Sequence, residues 1–153
     1  MQMGKISMIC VSACLAGCSC RYDGKSHEIE GIRELVEKGE AVPVCPEELG
    51  GLPTPRLCAE IQKDGHVRNT AGIDVTQEYQ TGAEKALEIC LKHGCTKAIL
   101  KSSSPSCGCN GIYDGSFSHT RIPGDGIFAQ MLKEHGIRCI DDTEWKKESY
   151  ELL

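Results

Sequence analysis

The sequence contains no apolar run near the roughly 20 residues that a membrane-spanning helix needs. It also has no excess of positive charge, because 17 lysines and arginines stand against 22 acidic residues, a formal net charge of −5 at pH 7. The first absence argues against a membrane protein, and the second against a general binder of the nucleic-acid backbone. A small anionic nucleotide is still compatible with this charge, because it needs only a local pocket.

The start of the chain also lacks a signal peptide, since residues 1–5 lead directly into a strand-like segment. We therefore expect a cytoplasmic protein. No repeat or linker divides the chain, so residues 1–153 are predicted to form a single domain that is long enough to bury a core. The 11 cysteines are an odd number in a reducing compartment, which predicts thiols that bind metal or do chemistry rather than disulfide bridges.

Strand and helix signals alternate along the chain. Short apolar runs and turn residues predict strands at 5–12, 41–44, 97–101 and 137–140, a hairpin at 60–69 and a short extended piece at 111–117. Apolar residues at helical spacing predict helices at 28–38, from 74 or 76 to 93, and from 124–126 to 136, with a polar helix or tail at 143–153. The alternation is typical of an α/β fold, a Rossmann-like three-layer domain with a mostly parallel sheet. Pro43 places its strand at an edge or a strand start.

Three of the predicted strands lead into cysteines, namely Cys14, Cys45 and Cys107. Parallel strands end at one edge of the sheet, where ligands bind, so we expect these thiols to converge. Three thiols without histidine suit zinc or an iron–sulfur cluster. A structural zinc normally takes four ligands in compact pairs, so the scattered trio favours a cluster with one iron left free. Cys20 is the candidate fourth ligand if the site is closed.

The other seven cysteines are given no ligand role. Three lie within strand or helix patterns and are predicted to be small buried apolar residues: Cys10, Cys90 and Cys139. Cys58 and Cys95 have no evident partner. Cys18 and Cys109 lie near the site but are not expected to bind metal.

Glu47 follows Cys45 by two residues and is predicted to lie at the same edge, where partial burial would suit it to acid–base chemistry. Ser102, Ser104 and Ser106 could donate hydrogen bonds to a substrate or cap a turn. No histidine is placed as a general base, so nothing supports a serine or cysteine hydrolase triad.

Other polar and glycine-rich positions have simpler interpretations. Asp23 and Asp114 each precede a glycine, which favours a turn role, and Glu48 is interpreted as a surface residue. The glycine-rich turns at 50–51 and 124–126 could cradle an anion, the second at a helix N-terminus.

Several short motifs match a known family and together cover nearly all of the chain. They are VSACL (11–15), CRYDG (20–24), CPE (45–47), GGLPTPR (50–56), GIDVT (72–76), LKS (100–102), SPSCG (104–108), IYDG (112–115) and GDG (124–126). The chain thereby resembles the bacterial domain, long described as of unknown function, from which the thiouracil desulfidases come.

The resemblance implies a 4Fe–4S cluster held by Cys14, Cys45 and Cys107, whose fourth iron takes the sulfur of the substrate. Cys20 also matches a family cysteine and is the less favoured ligand. Glu47 would be the principal acid or base, assisted by Ser104 or Ser102. The family pattern implies all of these roles for the matching positions of this sequence.

The implied reaction converts a thiolated pyrimidine, either thiouracil or a thiouridine nucleotide, to its oxo form and releases sulfide without net electron transfer. Relatives that act on tRNA carry an additional domain, so we expect a small-molecule substrate here, with neither a membrane nor a stable nucleic-acid partner. Two other hypotheses stay open: a cluster-dependent sulfur transferase or lyase, and a non-enzymatic zinc or iron–sulfur module closed by Cys20.

Overall fold

The computed structural model describes residues 8–145. Its eight strands are β1 (Met8–Ser12), β2 (Ala41–Val44), β3 (Ala59–Ile61), β4 (Val67–Asn69), β5 (Cys95–Leu100), β6 (Ile112–Tyr113), β7 (Arg121–Ile122) and β8 (Arg138–Asp141). Its helices are α1 (Glu30–Glu37), α2 (Pro46–Leu49), α3 (Thr76–Lys92) and α4 (Ile127–Glu134), and a 3₁₀ helix, Ala13–Ala16, follows β1. Residues 142–145 are also helical, and the rest of the predicted terminal helix lies outside the described residues.

The central sheet has four parallel strands in the order β2-β1-β5-β8. Val11 of β1 is paired with Pro43 of β2 on one side and with Ile99 of β5 on the other. Pro43 therefore lies in an edge strand, where a missing backbone N–H is tolerated, as its position in the sequence predicts. The predicted α/β class with a mostly parallel sheet is confirmed.

Side chains of the strands alternate between two cores, one on each face of the sheet. Val11 and Ile99 pack with Ile32 of α1 on one face. Cys10 and Ala98 pack on the other face in a cluster that also contains residues of α3 and α4, such as Phe128. Helices on both faces give the three layers that the sequence predicts.

Two small antiparallel hairpins lie outside the central sheet. β3 and β4 form the hairpin expected within 60–69, and β6 pairs with β7. The predicted extended piece at 111–117 is therefore the first arm of a longer hairpin, because its partner strand begins only at Arg121.

Most predicted boundaries agree with the structure to within a few residues. β5 begins two residues earlier than predicted, at Cys95, and α4 begins at Ile127, directly after the predicted glycines. For α3, helical spacing predicts an inner stripe of Tyr79, Ala83, Ala86, Leu87, Cys90 and Leu91. The prediction is wrong at its end, since Leu91 is 50% exposed, whereas Gly82, which the pattern omits, is buried. Among residues 8–145, no helix is both long and apolar enough to cross a membrane.

Candidate functional site

A cavity of about 340 Å³ opens at the carboxyl edge of the central sheet. Cys14, Cys45 and Cys107 all line it, each in a segment that follows β1, β2 or β5. Because these three strands are neighbours and parallel, residues far apart in sequence reach one place. The structure thus brings together the three thiols that the sequence singles out, and Cys20 lies in the same wall.

The three thiols differ in how readily they lose a proton. Burial raises the pKa of Cys14 to about 12 and raises that of Cys107 well above its ordinary value, and the charge of Glu47 adds to both shifts. Cys45 is different, because a hydrogen bond from the Cys20 thiol lowers the pKa of Cys45. The same contact raises the pKa of Cys20. Among the three candidate ligands, Cys45 is thus the one whose pKa is lowered.

The donor set fits an iron–sulfur cluster, because cysteine thiolates are the ligands that hold such clusters. Cys14, Cys45 and Cys107 line one cavity and influence one another's charge. Yet among residues 8–145 no three histidine, cysteine or acidic side chains stand close enough to hold a single metal ion. A cluster is larger than an ion and is held by thiolates on its separate iron atoms, so it can bridge wider gaps.

Glu47 lies in the first turn of α2, directly after Cys45, and is only 9% exposed. Burial raises the pKa of its carboxyl, and the nearby Arg56 guanidinium opposes the shift. Its oxygens face Cys45, whose sulfur is 3.9 Å from Oε1, and Ser104, whose hydroxyl is 3.4 Å from Oε2. The carboxyl is thus held inside the cavity wall between a candidate ligand and a serine.

Ser104 links Glu47 to the loop that carries Cys107. Its Oγ accepts the backbone N–H groups of Ser106 and Cys107, both at 3.0 Å. With both N–H groups aimed at the oxygen, the hydroxyl hydrogen can point to the Glu47 carboxylate. Ser102 also lines the cavity, but its backbone N–H is held by Asp142 at 3.0 Å and its hydroxyl faces Lys101.

Close contact between α2 and α3 fixes the position of Glu47. A Cβ on Gly82 of α3 would lie 1.8 Å from the carbonyl oxygen of Pro46, and one on Gly50 would lie 1.9 Å from that of Glu78. Such distances leave no room for a side chain, so the backbones of the two elements touch. Two glycines therefore set where the Cys45–Glu47 segment stands.

The predicted anion cradles at glycine-rich turns are wrong. At the start of α4, the N–H groups of Gly126, Ile127 and Phe128 donate to carbonyl oxygens of the Cys107 loop at 2.7–3.0 Å. At Gly50 and Gly51, both N–H groups donate to carbonyls of α2. The donors that an anion would need are already used by the chain itself, and at α4 they anchor the loop that holds Cys107.

The sequence alone assigns no role to several residues of the cavity wall. Cys58, Tyr79, Tyr113 and His119 line the cavity, as do three cationic side chains, Arg21, Arg56 and Lys101. Arg56 is the best anchored of the cations, since its guanidinium donates to the Cys20 carbonyl at 3.1 Å and to the Thr54 hydroxyl at 3.0 Å. Arg21, Arg56, Lys101 and Tyr113 fall within the motifs CRYDG, GGLPTPR, LKS and IYDG, whereas Cys58, Tyr79 and His119 fall within none of them.

The burial and the turn roles predicted for other residues are largely confirmed. All eleven cysteines are free. Of the cysteines predicted to be buried, Cys10 and Cys90 are fully buried and Cys139 is half-buried. Cys95 and Cys109 are buried and line no part of the cavity, and Cys18 is exposed. Asp23 and Asp114 accept backbone N–H groups two residues ahead, as turn residues do. Glu48 is exposed and accepts a hydrogen bond from the Thr54 hydroxyl. Ser106 is buried and lies outside the cavity lining.

Comparison with known proteins bears on the whole described region. A model of the 2-thiouracil desulfurase family matches residues 9–144. The chain is 42% identical to YbbK, an uncharacterized protein of Bacillus subtilis (strain 168), over 146 residues. This match covers 90% of this chain and 97% of YbbK. It is also 42% identical to a solved structure described as the 4Fe-4S-dependent thiouracil desulfidase TudS, with a TM-score of 0.87 over 95% of this chain and 97% of that one. On these matches, the chain belongs to the 2-thiouracil desulfurase family.

Proposed function

We propose that this protein is a 4Fe–4S-dependent desulfidase that converts thiouracil or a thiouridine nucleotide to the oxo form and releases sulfide. The observation that carries the proposal is the cavity itself, in which three thiols from three neighbouring loops meet a buried carboxyl. Membership of the family and the likeness to a thiouracil desulfidase support the same conclusion.

Cys14, Cys45 and Cys107 would hold the cluster, one from each loop. When bound, the cluster would supply an iron without a protein ligand, a Lewis acid suited to the soft sulfur of a thiocarbonyl group. Cys20 would remain a thiol that donates to the Cys45 sulfur, a contact that orients a ligand and tunes its basicity. The chain itself would therefore supply three ligands and leave the substrate position open.

Glu47 would move protons during the reaction. Its carboxylate would take a proton from the water that attacks the thiocarbonyl carbon, and would return one to the ring nitrogen or to the departing sulfide. The Ser104 hydroxyl would hold that carboxylate in one orientation, because its own oxygen is fixed by two backbone N–H groups. Ser102 lies farther along the same wall and would contact the substrate rather than Glu47.

The cavity suits a small ligand. Its volume of about 340 Å³ lies at the low end of the range for small-molecule sites. Arg21, Arg56 and Lys101 would also accept a negatively charged nucleotide. We place the enzyme in the cytoplasm, where its free thiols stay reduced, and treat residues 1–153 as a single catalytic unit with no stable nucleic-acid partner.

Anaerobic reconstitution followed by a substrate panel tests this proposal. We expect about four iron and four sulfide per chain, and sulfide release from thiouracil or a thiouridine nucleotide with no sulfur acceptor present. Cys14→Ala, Cys45→Ala and Cys107→Ala should each lose the intact cluster. Zinc in place of iron, or a cluster that survives all three changes, would refute the proposal. A strict need for a sulfur acceptor would instead indicate a sulfur transferase.

A further inference from the structure

The hairpin of β6 and β7 forms an outer wall of the cavity, and the mechanism above gives it no role. Tyr113 and His119, from opposite ends of its loop, both line the cavity. Their rings meet edge to face, with centroids 5.4 Å apart and planes at 84°. The Tyr113 side chain is half-buried and the imidazole of His119 is exposed, so the pair presents an aromatic surface that a ligand can reach.

The backbone of this loop is held in an unfavourable conformation. Phe117 and His119 have φ angles of 59° and 60°, in the left-handed region that residues other than glycine seldom adopt. Such a conformation persists only where surrounding contacts impose it, and it is found most often at ligand sites. The contacts that impose it here can be identified.

Glu60 of β3 holds the loop from below. It is only 3% exposed, and its Oε1 accepts the N–H groups of Gly115 at 2.9 Å and of Phe117 at 3.1 Å. Gln62, the residue directly after β3, donates through its side-chain amide to the Gly115 carbonyl at 3.3 Å. Burying a carboxylate is unfavourable unless it is well hydrogen-bonded, so these two N–H groups account for the burial. The buried Glu60 carboxylate therefore stabilises the left-handed turn through these two hydrogen bonds.

We propose that His119 is a specificity-determining residue, whose imidazole packs with Tyr113 against the pyrimidine ring of the substrate, and that Glu60 is its positioning residue. The inference rests on the proposed function, because it concerns the same substrate. A planar heterocycle and an aromatic wall attract each other through their faces and edges. Glu60 is too deeply buried under the loop to act on the substrate directly and works by fixing the turn that carries His119.

The test uses the cluster-loaded protein and the variant His119→Gly. Glycine accepts a φ of 60° without strain, so the variant should fold at least as well as the parent. We expect KM for thiouracil to rise about three- to tenfold with little change in kcat, because an aromatic contact that is equal in the ground and transition states is lost. Uracil has no sulfur that iron could bind, so its affinity reports on the aromatic contact alone. Its Kd, measured by ligand-observed NMR, should be higher for His119→Gly than for the parent by the same factor.

A matched control is Asn110→Gly. Asn110 also has a positive φ, 63°, but it is exposed and lies outside the cavity lining. It should leave KM and uracil affinity unchanged.

The role of Glu60 is tested by a double-mutant cycle. Glu60→Ala should raise KM as His119→Gly does and should add nothing further when His119 is already glycine. Glu60→Gln, which keeps an acceptor oxygen, should restore part of the loss. If Glu60→Ala still raises KM in the His119→Gly background, Glu60 does not act through His119.

The outcomes separate this inference from the function on which it rests. If the parent protein releases sulfide and His119→Gly leaves both KM and uracil affinity unchanged, the aromatic wall is refuted and the desulfidase stands. If the parent releases no sulfide from any thiolated pyrimidine, both proposals fail.

Discussion

Replacing Gly82 with alanine tests whether the contact between α2 and α3 sets the geometry of the site. The added Cβ would lie 1.8 Å from the carbonyl oxygen of Pro46 and 2.9 Å from the backbone nitrogen of Gly50, whereas ordinary contacts begin at 3.4 Å. Both obstacles are backbone atoms and cannot rotate away. The variant can fold only if α2 moves away from α3, and α2 carries Glu47.

Two opposing terms set the expected stability. Alanine is favoured over glycine inside a helix by about 1 kcal/mol. Overpacking typically costs about 1–3 kcal/mol, and a collision with the rigid backbone of the α2 segment belongs at or beyond the upper end of that range. We therefore expect a net loss of about 2 kcal/mol, which for a chain of this size lowers Tm by roughly 4–8 °C.

We expect Gly82→Ala to affect the reaction rate more strongly than it affects the stability of the fold. A displacement of about 1 Å at a reacting group can reduce the rate by about 100-fold, and Glu47 moves with α2. The assays are thermal unfolding, iron content and sulfide release by the same preparation. Glu84→Ala, an exposed change on the same helix, is the control and should stay within about 0.5 kcal/mol of the parent. A Gly82→Ala protein with an equal or higher Tm and full activity would show that the contact does not constrain the site.

The catalytic assignments lead to three further predictions. Glu47→Gln should keep its cluster, measured by visible absorption and iron content, and lower kcat by at least about 100-fold; normal turnover would remove the acid–base role. Ser104→Ala should lower kcat more than Ser102→Ala, since of these two serines it is Ser104 whose hydroxyl donates to the Glu47 carboxyl; the reverse order would reassign the two serines. Cys20→Ala should retain the iron–sulfur cluster and change its spectrum, because the Cys45 sulfur loses a hydrogen-bond donor. Loss of the cluster would instead make Cys20 a ligand.

The convergence of the three thiols could be predicted because it depends only on topology. Once strands and helices alternate, parallel pairing places Cys14, Cys45 and Cys107 at one edge, whatever the loops do in detail. Pro43 likewise identifies its strand as an edge from a local property, the missing N–H. Predictions of this kind succeed because they use chain direction and strand pairing, which the pattern of apolar residues reveals.

The rest of the wall could not be predicted because it depends on how loops fold over the sheet. Cys58 and His119 come from two peripheral hairpins, and periodicity does not show where a hairpin comes to rest. Tyr79 fits the apolar stripe of α3, yet it lines the cavity. The glycine turn at α4 looks like an anion site until the carbonyls of the Cys107 loop are seen to occupy its donors. The positions of these residues are set by tertiary contacts, and no short stretch of sequence encodes such contacts.

The local charge of the cavity differs from that of the chain, and this difference bears on what it binds. The whole sequence carries a formal net charge of −5. Among the described residues, however, the cavity is lined by Arg21, Arg56 and Lys101 and by a single carboxylate, Glu47. Three thiolates brought into a partly buried site need compensating charge, because uncompensated buried charge is strongly unfavourable. The three cations would thus compensate the charge of an anionic cluster and would suit an anionic substrate.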